Sequence, residues 1–189
     1  QGQSPYSASK ISADHFVEAY FRSFDLPVVT LRPFNTYGPR QSERAIIPTI
    51  IRQCLDPKFK SIKLGNLDPI RDFNYVGDTV NAFIKLALSK DTKFGDVYNS
   101  GSGQGYIVRE ILNKIIEITN TNKKVITDKS LIRPKLSEVY ELIACSKKIK
   151  KVTNWKSNTS IDQGLKNTVK WWENRFNNND IKYDNRILY

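Results

Sequence analysis

Residues that bind metals or cross-link chains are scarce in this 189-residue sequence. It has a single histidine, His15, and two cysteines, Cys54 and Cys145, which are far apart and lack metal-ligand spacing. A structural zinc site is therefore not expected. No apolar run approaches the roughly 20 residues of a membrane span, and no charged-then-apolar signal peptide opens the sequence. We expect no metal, no membrane partner and a cytoplasmic location.

The net charge is strongly positive, at +11 with a pI near 9.6. A basic surface can attract nucleic acid, which makes a nucleic-acid-binding protein one alternative. The lysines are dispersed, however, and the only dense group is the short run 147–151. No aromatic-interleaved RNA-binding signature or helix-turn-helix pattern stands out. The sequence therefore predicts no nucleic-acid partner.

Strand and helix patterns alternate along the chain, which favours an α/β architecture. Strands are predicted at 27–34, 62–65 and 123–127, the first of them as a buried parallel strand. Helices are predicted at 4–24, 46–55, 77–88, 107–119 and 160–176. Ser4 and Ser160 are suited to cap the first and last helix, and Leu165, Val169 and Trp172 should face inward. We expect Val80, Phe83, Ile84 and Leu88 of the helix at 77–88 to form core, because they recur at helical spacing.

Tyr6 and Lys10 are the first candidates for chemistry. They are four residues apart on a predicted helix, so they share one face and lie about one turn from each other. A free tyrosine titrates near 10, and a neighbouring cation favours the phenolate. Tyr6 is therefore a candidate acid or base. Taken alone the spacing is weak, because an exposed aromatic and a solvated lysine often occur at this distance.

Four further blocks follow Ser4-Pro5-Tyr6-Ser7-Ala8-Ser9-Lys10. They are Leu31-Arg32-Pro33-Phe34-Asn35-Thr36-Tyr37-Gly38-Pro39-Arg40, then Ile70-Arg71-Asp72-Phe73 with Tyr75, Val76 and Asp78, then Val97-Tyr98-Asn99-Ser100-Gly101, and Arg133-Pro134. In this order the blocks resemble the extended short-chain dehydrogenase/reductase family over roughly residues 1–172. Within it the chain looks most like bacterial NAD-dependent nucleotide-sugar 4,6-dehydratases, with nucleotide-sugar 4-epimerases as the close alternative.

The resemblance implies a fold and a division of the chain. The fold would be the C-terminal part of a Rossmann-like parallel-sheet domain, joined to a smaller mixed α/β lobe that binds substrate. Residues 1–40 would be a remnant of the NAD-binding domain carrying Tyr6 and Lys10. Residues 41–176 would be mainly the substrate lobe with returning Rossmann elements, and 177–189 a polar tail. No glycine-rich dinucleotide turn precedes Tyr6, and the glycines at 101–105 do not fit G-x-G-x-x-G. We therefore expect an N-terminal half of about 150 residues to be absent, one domain by the usual size prior.

The resemblance also implies roles for individual residues. Tyr6 would take the proton from the sugar 4-hydroxyl, Lys10 would bond the nicotinamide ribose, and Pro33 would lie beside the nicotinamide of NAD. The substrate would be a UDP-, GDP- or dTDP-linked hexose or N-acetylhexosamine used in surface-glycan synthesis. Its contacts would be Asn35, Ile46, Arg71 and Arg133, although Lys135 stands where the family has glycine after Arg-Pro.

Two further expectations follow from the resemblance. The intact protein would be a homodimer, and the acid/base pair for water elimination would lie upstream of Tyr6. The remaining alternative is a nucleotide-sugar binding module without catalysis. Two alternatives for single residues stay open: Arg71 could form an ordinary surface ion pair, and Asn35 could be a plain turn residue.

Overall fold

The computed structural model describes residues 4–132 and 139–181, and their helices and strands alternate as expected for an α/β protein. In chain order they are α1 (Pro5–Phe24), β1 (Thr30–Pro33), β2 (Thr36–Tyr37), α2 (Ile46–Leu55), β3 (Ser61–Leu64), β4 (Ile70–Asp72), β5 (Asn74–Tyr75), α3 (Val76–Leu88), β6 (Val97–Ser100), β7 (Gly105–Ile107), α4 (Val108–Thr119), β8 (Lys124–Thr127), β9 (Glu141–Leu142), α5 (Lys147–Thr153) and α6 (Ile161–Asn177). Among these residues no helix has both the length and the apolar character needed to cross a membrane.

Helix α1 begins where the sequence predicts. Ser4 is its N-cap and accepts a hydrogen bond from the Ser7 amide at 3.1 Å, while the Ser7 hydroxyl accepts one from the Ser4 amide at 2.9 Å. Pro5 occupies the first helical position, where its missing N–H has no partner to lose. The helix ends at Phe24, before Asp25 in the left-handed conformation, and none of its residues is buried.

Strands β1 and β6 form a two-stranded parallel sheet, in which Thr30 pairs with Val97 and Pro33 with Ser100. The predicted parallel strand is therefore confirmed, but it begins at Thr30 rather than at residue 27. The prediction that it is buried is wrong, since Arg32 and Pro33 are exposed. In the described part of the chain β1 has only one partner strand, and only Val29 and Leu31 nearby pack against a hydrophobic cluster.

The larger hydrophobic cluster joins α2, α4 and α6 to β3. Its fully buried members include Ile50, Ile51, Ile62, Ile111, Ile115, Leu165 and Trp172. The inward positions predicted for the last helix are confirmed, and Ser160 caps that helix by accepting from the Gln163 amide. Three short sheets border this cluster: β2 with β5, β3 with β8, and β7-β4-β9 with β4 in the centre.

The smaller cluster packs α3 and α5 against β6. It consists of Ala82, Leu86, Tyr98, Ile149 and Trp155. The apolar residues expected to form core on α3 lie on the other side of the helix and are 51–77% exposed, namely Val80, Phe83, Ile84 and Leu88. That prediction is wrong because α3 is apolar around much of its circumference, and the described sheet covers only one side of it.

Candidate functional site

Tyr6 and Lys10 lie on one face of α1, as their spacing predicts. The Lys10 ammonium is 5.5 Å from the centre of the Tyr6 ring. Tyr6 is 72% exposed, so its hydroxyl is open to an incoming ligand. The pair thus forms a cation–π contact on one exposed face of the helix.

Two contacts fix the direction of α1 along β1. Arg32 donates from Nε and Nη2 to Asp14 Oδ2, at 2.8 and 2.6 Å, near the carboxyl end of β1. At the other end of the helix, the Phe21 ring lies against Gly95, so that a Cβ added there would be 2.3 Å from a ring carbon. Gly95 donates from its amide to Val28, just before β1 begins. Helix α1 therefore runs antiparallel to β1.

This direction places the Tyr6–Lys10 face beyond the carboxyl end of β1. Asp14 is four residues after Lys10 and eight after Tyr6, so all three share a face. At 1.5 Å of rise per residue, Lys10 lies about 6 Å and Tyr6 about 12 Å further along the axis than Asp14. Open α/β sheets bind ligands at the carboxyl ends of their strands. The two candidate catalytic groups thus extend toward that end of the sheet.

Asn35 is held just past the same strand end, two residues after Pro33. Its side-chain Nδ2 donates to the Asp72 carbonyl at 3.1 Å, and its own carbonyl accepts from the Asn74 amide at 3.3 Å. No hydrogen bond from the described residues reaches its Oδ1. Asn35 is therefore tied to β4 and β5, with one side-chain oxygen left for a ligand.

Arg71 lies in β4, directly before Asp72. Its Nη1 donates to the Ile70 carbonyl at 2.9 Å and to the Tyr140 carbonyl at 3.2 Å. The guanidinium is thus directed along the edge between β4 and β9. Because the Asn35 side chain is bonded to the Asp72 carbonyl, the structure brings Asn35 to the end of β4, one residue from Arg71.

The other two predicted substrate residues are not joined to this group by the described contacts. Ile46 is the first residue of α2 and packs against the larger hydrophobic cluster. Arg133 lies outside the described residues. The substrate roles of both stay predictions.

Two carboxylates to which the sequence analysis gave no role organise the site. Asp14 fixes α1 through Arg32, and the buried Asp72 accepts four hydrogen bonds, from the Ser102 amide and hydroxyl and from the Gly103 and Ala144 amides. Nothing in a single sequence distinguishes such carboxylates from solvated ones. The amides of Ser102 and Gly103 are used by Asp72, which agrees with the prediction that residues 101–105 are not a phosphate-binding turn.

Two tyrosines, the buried Tyr37 and the half-buried Tyr106, border the site on the side of the larger cluster. Burial raises the pKa of Tyr37 above its ordinary value, and nearby Tyr75 and Asp78 act in the same direction. Burial also raises the pKa of Tyr106, which is paired with Arg71 across β4 and β7. Both phenols therefore stay protonated at neutral pH and are not candidates for the acid or base.

Comparison with known proteins identifies the family. Residues 1–168 match the family model described as GDP-mannose 4,6 dehydratase. The chain is 29% identical to dTDP-glucose 4,6-dehydratase 1 of Escherichia coli (strain K12) over 176 residues, which cover 89% of this chain and 47% of that protein. The chain therefore spans about half the length of the curated relatives it matches.

Solved structures give the same result. A Bacillus anthracis dTDP-glucose 4,6-dehydratase in complex with NAD superposes with a TM-score of 0.80 at 31% identity, covering 92% of this chain and 53% of that one. A UDP-glucose 4-epimerase from Thermotoga maritima, solved with UDP-glucose, also gives 0.80, at 28% identity over 91% of this chain and 54% of its own. The chain thus belongs to the GDP-mannose 4,6 dehydratase family, among the nucleotide-sugar dehydratases and epimerases of the extended short-chain dehydrogenases/reductases.

Proposed function

We propose that this chain is the C-terminal portion of an NAD-dependent nucleotide-sugar 4,6-dehydratase. The substrate is a UDP-, GDP- or dTDP-linked hexose or N-acetylhexosamine, and the product enters surface-glycan synthesis. The observation that carries the proposal is the direction of α1, which extends Tyr6 and Lys10 past the strand end where Pro33 and Asn35 lie. The dehydratase relatives support it.

The residues present fit the nicotinamide end of NAD. Tyr6, Lys10 and Pro33 are exposed and lie on the two elements that border the strand end. When bound, NAD takes up a hydride from the sugar and returns it. The described residues offer no glycine-rich turn for its pyrophosphate, since the 101–103 amides are bonded to Asp72 and Ser146. We therefore propose that residues 1–189 alone have no turnover.

Each side chain then has a defined task. Tyr6 takes the proton of the sugar 4-hydroxyl, and the Lys10 ammonium stabilises the phenolate that must form. Asn35 binds the sugar-diphosphate region: its second Nδ2 hydrogen donates to a phosphate oxygen, and its Oδ1 accepts from a sugar hydroxyl. Arg71 binds the pyrophosphate, because its planar donors suit phosphate oxygens. Ile46 and Arg133 contact the nucleotide.

A second candidate, nucleotide-sugar 4-epimerase, uses the same oxidation at C4. The epimerase structures among the neighbours favour keeping it. No residue of the 189 is assigned to water elimination, so they support oxidation at C4 better than dehydration. Expressing the complete reading frame with NAD and each nucleotide sugar separates the two: a dehydratase gives a 4-keto-6-deoxy product and an epimerase gives the C4 epimer.

Binding to the 189-residue chain tests the substrate class directly. Calorimetric titration with UDP-glucose, dTDP-glucose and GDP-mannose should give a Kd below about 1 mM for at least one. Arg71→Gln should weaken that binding at least tenfold. The matched control is Arg109→Gln, because Arg109 makes an exposed ion pair with Asp68. Absence of binding by all three sugars would refute the proposal.

Tyr6→Phe tests the proposed acid/base role in the product of the complete reading frame. Turnover should fall by about 10²- to 10⁴-fold, the range of general acid–base catalysis, with substrate binding unchanged. Tyr20→Phe is the matched control, since Tyr20 lies on the same helix and the substitution keeps its aromatic ring. Equal loss in both variants, or full activity of Tyr6→Phe, would contradict the role.

A further inference from the structure

Asp72 makes the most extensive set of side-chain hydrogen bonds near the candidate site. Its side chain is fully buried. Oδ1 accepts from the Ser102 amide at 2.9 Å and from the Ser102 hydroxyl at 2.6 Å. Oδ2 accepts from the Gly103 amide at 2.8 Å and from the Ala144 amide at 3.1 Å. One carboxylate therefore joins β4 to the turn after β6 and to the segment that leads into α5.

The same residue is bonded to Asn35 through its backbone. Asn35 Nδ2 donates to the Asp72 carbonyl at 3.1 Å. Any movement of the Asp72 backbone would therefore displace the acceptor that orients the Asn35 side chain. The four bonds to the carboxylate prevent such movement, because breaking them would leave a buried charge without donors.

A second path leads from Asp72 to Arg71. Through the Ala144 amide, the carboxylate holds the segment that contains Tyr140 and β9. The Tyr140 carbonyl accepts from the Ile70 amide at 2.8 Å and from Arg71 Nη1 at 3.2 Å. The direction of the guanidinium thus depends on a strand that Asp72 anchors.

Close approach around the carboxylate leaves little room for rearrangement. A Cβ added to Gly101 would lie 2.4 Å from the Ala144 Cβ and 2.7 Å from Asp72 Oδ2. The Ser146 hydroxyl accepts from the Gly101 amide at 3.1 Å and donates to the Gly101 carbonyl at 2.9 Å. The three segments are therefore packed in one arrangement around Asp72.

We propose that Asp72 is a positioning residue that fixes Asn35 and Arg71 relative to each other for binding the diphosphate of a nucleotide sugar. The inference rests on the proposed function. It differs from a purely structural role in one respect: the loss of Asp72 should act on affinity through Arg71, beyond any loss of stability.

Asp72→Asn tests this, because it keeps the shape but turns an NH2 group toward amide donors that need an acceptor. Asp78→Asn is the matched control: Asp78 is also buried, and accepts from the Thr159 amide at 2.9 Å and the Ser157 hydroxyl at 3.2 Å. The probe is whichever of UDP-glucose, dTDP-glucose and GDP-mannose binds the unsubstituted chain best. We expect Asp72→Asn to bind it at least tenfold more weakly, and Asp78→Asn to stay within twofold, while both lower Tm.

A double-mutant cycle with Arg71→Gln separates positioning from structure. If Asp72 acts through Arg71 and Asn35, the double variant loses clearly less affinity than the two single losses added together, and the loss beyond Arg71→Gln alone is the part that acts through Asn35. Additive losses, or equal losses in Asp72→Asn and Asp78→Asn, would overturn the inference while leaving the substrate class intact. No binding by the unsubstituted chain would overturn both.

Should Asp72→Asn not fold, Ser102→Ala replaces it, since Ser102 is exposed. This variant should weaken binding threefold or more, and unchanged affinity would overturn the inference.

Discussion

Tyr37 is a single side chain whose burial makes the fold sensitive to alkali. Its hydroxyl lies 3.4 Å from the Ile161 carbonyl, and a Cβ added to Gly164 would come within 2.0 Å of it. Burial raises the pKa of Tyr37 above its ordinary value near 10. The folded state therefore holds this proton more tightly than the unfolded state. Its contribution to stability is complete below the unfolded pKa and is lost as the pH rises above it.

We expect Tyr37→Phe to reduce this dependence on pH. The free energy of unfolding should fall as the pH rises above about 10 in the unsubstituted chain, and less steeply in Tyr37→Phe. At pH 7 the variant should be less stable by no more than about 1 kcal/mol, since one long hydrogen bond is lost. Urea unfolding across this range measures both effects. Tyr20→Phe, at an exposed position, should keep the original slope; a parallel slope for Tyr37→Phe would contradict the argument.

The two cysteines differ in burial. Cys54 is buried, and burial raises the pKa of its thiol, while Cys145 is exposed. Because the thiolate is the reactive form, a disulfide reagent should modify one thiol rapidly in the folded chain and two in denaturant. Cys145→Ser should abolish the rapid phase. Two rapid thiols under native conditions would show that Cys54 is accessible.

At the scale of elements, α3 presents an apolar face that the described structure does not cover. Val80, Phe83, Ile84 and Leu88 are all at least half exposed. Exposed apolar patches favour association. Phe83→Ser with Ile84→Ser should therefore raise the solubility of the 189-residue chain and leave its Tm nearly unchanged. Leu86→Ala, on the buried side, should instead cost about 2–5 kcal/mol. A large loss of Tm in the double variant would place these two side chains inside a core.

The helices show what the sequence could and could not predict. The starts of α1 and α6 follow from local signals: Ser4 with Pro5, and Ser160. Local signals do not say which side of an apolar helix meets a sheet, and so the core positions of α3 were assigned to the wrong side. The start of β1 was predicted too early for a related reason, because β-branched residues at 28–29 favour a strand whether or not a partner strand is present.

The candidate site shows the same division. The shared face of Tyr6 and Lys10 follows from helical periodicity alone, and Asn35 follows from its place after a strand. The roles of Asp14 and Asp72 depend on donors that are distant in sequence, such as Arg32 and Ala144. No spacing rule connects such pairs, so only the folded arrangement could indicate them.

At the scale of the whole molecule, we expect the intact protein to be a homodimer. Helix α1 has no buried residue, and Phe16, Tyr20 and Phe24 on it are each more than half exposed. In the product of the complete reading frame, Phe16→Glu should convert the dimer to a monomer in light scattering. His15→Glu adds a carboxylate at a neighbouring exposed position and should leave the dimer intact. Equal behaviour of the two variants would exclude this face from the contact.

The pairing of β1 with β6 alone has a consequence for any further strand that joins this sheet. Within the described residues the outer rim of β1 has no neighbour, so its main-chain amides and carbonyls point outward. Any strand docking there would be recognised by backbone spacing rather than by side-chain identity. Its side chains could vary as long as the apolar and polar positions keep alternating, whereas a shift of one position would turn every side chain to the opposite face. The register of such a strand against β1 would therefore be more tightly constrained than the identity of its side chains.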